Sequence, residues 1–372
     1  MKRKYDLTIL FVVTCSPLLI LSNVHSSFSL SNYHSSVKTF KFNATLAYDF
    51  IQKQVDLGSR YPGSEGIEEV RHLIASELLP TQNWVIIYQN FSKKWDDQDV
   101  ILVNIICTPI SPNFTQPFFL LMAHYDTRLW ADKDPDLSKR KEPVLGANDG
   151  ASGVAIALEL GKTLFKEYNY SNFQLVFFDG EDQGQILGWD WLLGSRFYVE
   201  SQEFKSQNLS FAILLDMVAG KNATFKREKY SDQYAGTLVT KIWNEADKLG
   251  FNKYFINQTG SRIIDDHLPL IENDIPAVDI IDDFVHRFKP WHTSFDNMTF
   301  IDMHTINAVG LTLESTLIQL LTSEGWLTNL TTINYQTNFL ILNTLNFFIL
   351  LASVTSRCKK RLIYRYNLNL KD

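Results

Sequence analysis

The chain has 372 residues, 45% of them hydrophobic and 20% charged, with a formal net charge of -6. That length suffices for one large domain with a buried core. The acidic balance argues against a nucleic-acid partner, which calls for a basic face.

At the N-terminus Lys2, Arg3 and Lys4 precede an apolar run from Leu7 to Leu21. A basic stretch before a short apolar one reads as a secretory signal, and the run is short for a spanning helix and contains Pro17. Residues 1–27 are therefore expected to be a signal peptide cleaved near Ser22–Ser27, or an uncleaved signal-anchor. At the other end Phe339 to Val354 is apolar apart from Asn343, Thr344 and Asn346, and Arg357, Lys359, Lys360, Arg361 and Arg365 follow. This pattern predicts a transmembrane helix over 338–356 and a basic cytosolic tail over 357–372. Nine N-x-S/T sequons between Asn43 and Asn329 suit the same secretory route. The expected location is the ER or Golgi membrane, the cell surface or the outside, with the domain lumenal or extracellular. Cys15 and Cys358 fall in the flanking segments, so Cys107 stands alone in the domain and a disulfide framework is excluded.

No Gly-Ser-rich or Pro-rich linker divides residues 38–325, which read as one domain. Phe40 to Leu57 has the periodicity of an amphipathic helix, ended by Gly58 and Tyr61-Pro62-Gly63. Ser64 to Leu79 reads as a second helix. Trp84–Tyr88 and Val100–Cys107 are expected to pair as antiparallel edge strands. Four short apolar strands follow, at Phe118–Ala123, Gln174–Phe178, Ala212–Leu215 and Ala277–Ile281. Helices at Val154–Tyr168, Thr237–Leu249 and Met303–Leu321 are interleaved with them. The alternation predicts an α/β fold: a mostly parallel central sheet with an antiparallel edge and helices on both faces.

Each apolar strand runs directly into acidic or histidine residues. The first is followed by His124 and Asp126, the second by Asp179, Glu181 and Asp182, the third by Asp216, and the fourth by Asp282, Asp283 and then His292. Asp149 enters from the Gly146–Gly153 turn that opens a helix. Ligands bind outside the carboxyl ends of strands in open α/β sheets, so these groups should converge. Carboxylates and imidazoles on one rim call for a cation, and Zn2+ suits a mixed Asp/His set with an open position. Blander readings hold elsewhere. Asp282 and Asp283 read as turn or cap residues, His267 and His286 as structural or surface histidines, and Asp132, Asp134 and Asp136 as a solvated acidic loop.

The motifs in their order resemble the M28 family of zinc peptidases and its glutaminyl cyclase branch, over about residues 40 to 322. The carriers are Leu57–Ser64, Ala123–Asp126, Gly146–Asp149, Phe177–Asp182, Leu214–Asp216, Asp265–His267 and Trp291–Thr293. The resemblance implies one Zn2+ held by Asp149, Asp182 and His292. It implies Glu181 as general acid/base, Asp216 and Asp265 in a hydrogen-bond network at the reacting groups, and Trp291 and His124 beside the substrate pocket. Animal cyclases usually carry Glu where this chain has Asp182; the shorter ligand is common in prokaryotic relatives. The implied reaction closes the N-terminal Gln, and possibly Glu, of peptides and proteins into pyroglutamate with release of ammonia. Two other readings stand beside it. In one, His124 and Asp216 complete a second metal position in an aminopeptidase. In the other, the chain is a catalytically silent ectodomain.

Overall fold

A computed structural model describes residues 39–112, 118–205, 208–284 and 290–322. The expected signal segment, transmembrane helix and basic tail lie outside the described residues, as does His286. Among the described residues no helix is long and apolar enough to cross a membrane.

In chain order the strands are β1 (Trp84–Trp95), β2 (Gln98–Pro109), β3 (Phe118–His124), β4 (Phe173–Phe178), β5 (Leu209–Asp216), β6 (Phe225–Arg227), β7 (Phe255–Thr259) and β8 (Ala277–Ile281). The helices are α1 (Ala44–Asp56), α2 (Glu65–Leu78), α3 (Ala151–Tyr168), α4 (Leu193–Glu200), α5 (Gln202–Lys205), α6 (Lys229–Tyr234), α7 (Gly236–Lys248), α8 (Leu268–Glu272) and α9 (Met303–Thr322). The main sheet runs β1-β2-β4-β3-β5-β8. β4, β3, β5 and β8 are parallel, and β2 joins β4 and β1 in antiparallel fashion. The chain thus forms an α/β fold with a mostly parallel sheet and an antiparallel edge.

Local chemistry sets the helix starts. The Asn43 side chain accepts the amides of Thr45 and Leu46, and Ser64 Oγ accepts that of Ile67, two N-caps that satisfy otherwise unpaired donors. The hairpin strand β1 reaches Trp95, well past the predicted Tyr88. Its outer residues alternate half-buried and exposed, so polar side chains at Gln89, Asn90 and Lys93 are tolerated on an edge. Asp96 and Asp97 both take positive φ (45° and 64°) and make the tight turn into β2.

Side chains of the central strand divide between two cores, as the two-residue repeat of a strand requires. Phe119, Leu121 and Ala123 face one cluster, with Val154, Leu158 and Leu313 of α3 and α9. Phe118, Leu120 and Met122 face the other, with Tyr198 of α4 and Leu270 of α8. β4 and β5 flank β3 on opposite sides, so the chain leaves β3 one way and returns the other. A crevice opens at such a reversal, outside the carboxyl ends of the strands. Cys107 is fully buried in the first cluster, and burial pushes its thiol up.

α3 lies hard against the sheet at Gly153. A Cβ there would stand 2.0 Å from Leu215 O and 2.9 Å from the Ala123 side chain. Gly153→Ala should therefore cost roughly 1–3 kcal/mol by forcing helix and sheet apart. Denaturant unfolding checks this, and an unchanged midpoint would refute the close approach.

Candidate metal centre

The predicted residues meet where β4, β3, β5 and β8 end. Asp149 Oδ1 and Asp216 Oδ1 each lie 3.1 Å from His124 Nε2. His292 Nε2 lies 2.8 Å from Asp182 Oδ1 and 3.8 Å from Asp149 Oδ2. Two sets of three buried donors result, Asp149/Asp182/His292 and His124/Asp149/Asp216, and within each set the donor atoms lie within 4.8 Å of one another. Asp149 belongs to both.

Backbone anchoring presents these side chains. Arg60, wholly buried, donates to the carbonyls of Leu145 and Gly146 at 2.7 Å each. Asp296 accepts the amides of Asn148 (2.8 Å) and Asp149 (3.0 Å). Gly150 then takes φ +98°, and a Cβ there would meet Asp126 O at 2.8 Å. Across the site Asp126 accepts the amides of Glu181 (3.1 Å) and Asp182 (3.2 Å) and the side-chain amide of Gln183 (3.1 Å). His292 sits at φ 57°, unusual for a residue with a side chain. Its ring packs 3.8 Å from the Trp291 ring centre, and Asp132 Oδ1 stands 3.4 Å from its Nδ1.

A divalent ion fits this donor set. Both nitrogens of His292 and Asp149 Oδ2 are buried without a hydrogen bond of acceptable angle, although carboxylate oxygens surround them. Buried polar atoms are rarely left so, and lone pairs aimed at a common point are what a cation requires. Two carboxylates and one imidazole, with an open position, match the preferences of zinc.

Charge is concentrated here. Burial pushes the Asp182 carboxyl up to about 6, and repulsion from Asp149 adds to it. Burial, then Asp265 and Asp182, lifts Glu181 well above the ordinary carboxyl range. Burial, then Asp216 and Asp266, does the same to Asp265. Asp149 is the exception, held low by its hydrogen bond from His124 in spite of burial.

A cavity of about 310 Å3 opens over these groups. Glu181, Asp182, Asp149, Asp216 and Asp265 line it together with Trp291. His124, expected in the substrate pocket, does not line it. It lies behind Asp149 and Asp216, with Nδ1 3.2 Å from Asp126 O. A carbonyl only accepts, so this nitrogen is protonated, and the surrounding carboxylates, which raise the imidazole well above its ordinary range in spite of burial, favour a second proton on Nε2 between Asp149 and Asp216.

The acidic loop departs from its reading as a solvated segment. Only Asp136 is exposed; Asp134 is buried and accepts the Ser294 amide and hydroxyl, and Asp132 backs His292. Asp282 accepts the Thr224 amide and Asp283 pairs with Lys226 at 2.8 Å, so both are structural. His267 is buried 3.2 Å from Glu228. Sequence reasoning gave no role to Asp126, Arg60, Asp296 or Trp191. The first two stand inside the quoted motifs, and no local pattern marks the others.

His292→Ala should strip metal from the purified protein, and elemental analysis reads the loss directly. Asp126→Asn leaves the ligands in place but loosens the backbone that carries Glu181 and Asp182. Metal affinity should then fall about 10–100-fold in chelator competition; full retention would show that Asp126 does not orient the site.

The sequence pattern of peptidase family M28 matches residues 104–317. Among curated proteins the chain resembles aminopeptidase YwaD of Bacillus subtilis (strain 168), 30% identical over 178 residues, 44% of this chain and 35% of that one. The chain spans about a third of that relative's length. Solved structures match over more of the fold. The glutaminyl cyclase of Porphyromonas gingivalis is 35% identical, with TM-score 0.70, over 75% of this chain and 98% of that one. The glutaminyl cyclase of Bacteroides thetaiotaomicron bound to N-acetylhistamine is 34% identical, with TM-score 0.69, over 74% and 98%. A Zn-dependent exopeptidase from Parabacteroides distasonis ATCC 8503 is 34% identical, with TM-score 0.70, over 75% and 98%. Fold, donor set and sequence agree that this chain belongs to peptidase family M28.

Proposed function

We propose that the protein is a glutaminyl-peptide cyclotransferase, converting N-terminal glutamine of peptides to pyroglutamate with release of ammonia. The observation that carries this reading is Asp265. It is buried in the wall of the same cavity as Glu181 and the metal-binding carboxylates, and its Oδ2 has no hydrogen-bond partner among the described residues. A second carboxyl whose neutral form burial favours, beside the reacting groups, suits a reaction whose leaving group is ammonia. The bacterial cyclases at 34–35% identity support the same reading.

Asp149, Asp182 and His292 would hold the ion, which when bound supplies a Lewis acid to the γ-carbonyl of the substrate. The cavity then has to hold one side chain and one free amine. Trp291 and Trp191 give it aromatic walls, and the carboxylates attract the α-ammonium. Glu181 accepts the proton that the neutral form of that amine loses as it attacks. The amine nitrogen bonds to the γ-carbonyl carbon, the carbon–nitrogen bond of the amide breaks, and Glu181 returns the proton to the departing ammonia. Asp265 and Asp216 hold hydrogen bonds around the leaving group. Because the reaction is intramolecular, much of the entropic barrier is absent once the chain is held in a closing conformation.

One observation favours a second reading. His124, Asp149 and Asp216 form another three-donor set, and His124 has its Nδ1 proton on a backbone carbonyl, the arrangement common for metal-bound histidines. Two ions would suit the aminopeptidase chemistry of YwaD-like relatives.

Mass measurement of a Gln-initiated peptide after incubation decides between them. Loss of ammonia supports the cyclase, and loss of the first residue supports the aminopeptidase. Glu181→Gln should lower kcat by about 10²–10⁴-fold while metal content is retained. Undiminished turnover would remove Glu181 from the proton-transfer role.

A further inference from the structure

Among the residues lining the cavity, one carries a positive charge. Arg262 stands in the wall with Ile263 and Ile264, three residues before Asp265, in company with five carboxyl groups. Its side chain is exposed, and its guanidinium lies 5.2 Å from the Tyr230 ring centre. Among the described residues it makes no hydrogen bond or ion pair with a carboxylate. Neighbouring cations differ: Lys226 pairs with Asp283 at 2.8 Å, Arg227 with Asp232, and Arg128 with Asp132 at 3.0 Å.

The backbone under Arg262 is fixed on both sides. Gly260 N donates to Arg227 O at 2.7 Å, Ser261 O accepts from Lys229 N at 3.0 Å, and Ile263 N donates to Glu228 Oε1 at 3.1 Å. Glu228, buried beneath the segment, also holds the Tyr230 and Ser231 amides, so the Tyr230 ring that braces the guanidinium is tied to the same carboxylate. An arginine whose position is set by its backbone and an aromatic face, and whose charge has no ion pair among the described residues, is prepared for an anion from outside.

We infer that Arg262 is a specificity residue that receives an acidic side chain at the second or third position of the peptide substrate. This rests on the cyclase reading in placing the N-terminal residue at the carboxylates. The α-ammonium is drawn to the depth of the cavity, and the rest of the peptide leaves past Ile264, which is 63% exposed. Residues advance about 3.3 Å each in an extended chain, so the second and third side chains would lie outward of the first, toward the rim. A basic residue there would meet the guanidinium as a like charge, so the rim both selects and rejects.

The test uses the full chain and three Gln-initiated peptides that carry acidic, neutral or basic residues at positions two and three. Wild-type kcat/KM should favour the acidic peptide over the neutral one by about fivefold, the scale of a partly exposed ion pair. The preference should reside in KM and shrink at high salt. Arg262→Ala should abolish the preference between the acidic and neutral peptides, Arg262→Lys should restore part of it, and Arg262→Glu should reverse it toward the basic peptide. An Arg262→Ala variant that keeps the wild-type ratio overturns the inference while leaving the cyclase reading intact. If none of the peptides is cyclised, the cyclase reading falls. Equilibrium binding of the same peptides then decides on Arg262 separately, and a Kd ratio unaffected by Arg262→Ala rejects it.

Discussion

The structure depends on the confinement of Asp149, Glu181, Asp182, Asp216 and Asp265 around one cavity of about 310 Å3. Two like charges 4 Å apart repel by about 4 kcal/mol at the effective dielectric of a protein site. A domain is stable by only about 5–15 kcal/mol in total, so several bare repulsions of this kind cannot be borne. Three devices relieve them. His124 places its Nε2 3.1 Å from both Asp149 and Asp216. Glu181 and Asp265 are held toward their neutral forms by burial. The remaining group, Asp149, Asp182 and His292, leaves Asp149 Oδ2 and His292 Nε2 buried and unpartnered on the side where the three donors meet, which a divalent cation would satisfy.

The candidate ligands are aimed without occupying the atoms that would bind. Asp126 and Asp296 each accept two consecutive backbone amides, of Glu181 and Asp182 in one case and of Asn148 and Asp149 in the other. Arg60 completes the second clamp by gripping two carbonyls of the same turn. Orientation is thus imposed through the main chain, and the carboxylate oxygens are left facing the imidazoles of His124 and His292. The αL backbone at His292 belongs to the same economy of means. Strain of this kind persists only where surrounding structure over-determines it, and here the indole of Trp291 and the carboxylate of Asp132 fix the ring.

Much of the fold was legible because burial on both faces leaves continuous apolar runs, as in Phe118–Ala123 and Ala212–Leu215. The chemistry was legible because acidic residues end those runs at the one edge where an open sheet binds ligands. What could not be read depends on distance in space. Asp296 resembles any loop aspartate until its two oxygens are seen on the Asn148 and Asp149 amides. Asp134 looks solvated in a run of charged residues, yet it is buried because Ser294 needs an acceptor. Resemblance alone points His124 toward the pocket, whereas the geometry sets it 3.1 Å behind both Asp149 and Asp216. The long reach of β1 was hidden because an edge strand tolerates polar residues that a central strand would not.

The cavity lies at the small end of the range for ligand sites, which runs from about 300 to 1,000 Å3. A space of that size accommodates one residue and excludes most of a peptide, so recognition divides in two. The depth, with its carboxyl groups and indoles, suits a free amine and one side chain, whichever reaction follows. The mouth, where Arg262 and the exposed Ile264 stand, bears on the residues that come after. Chemistry and selectivity are therefore set by different physical terms: buried, metal-directed charge in the first case, and screened charge near water in the second. A change at the rim is expected to retune which peptides enter without disturbing the buried carboxylates, because Arg262 is exposed and its charge screened by water whereas Glu181 is buried.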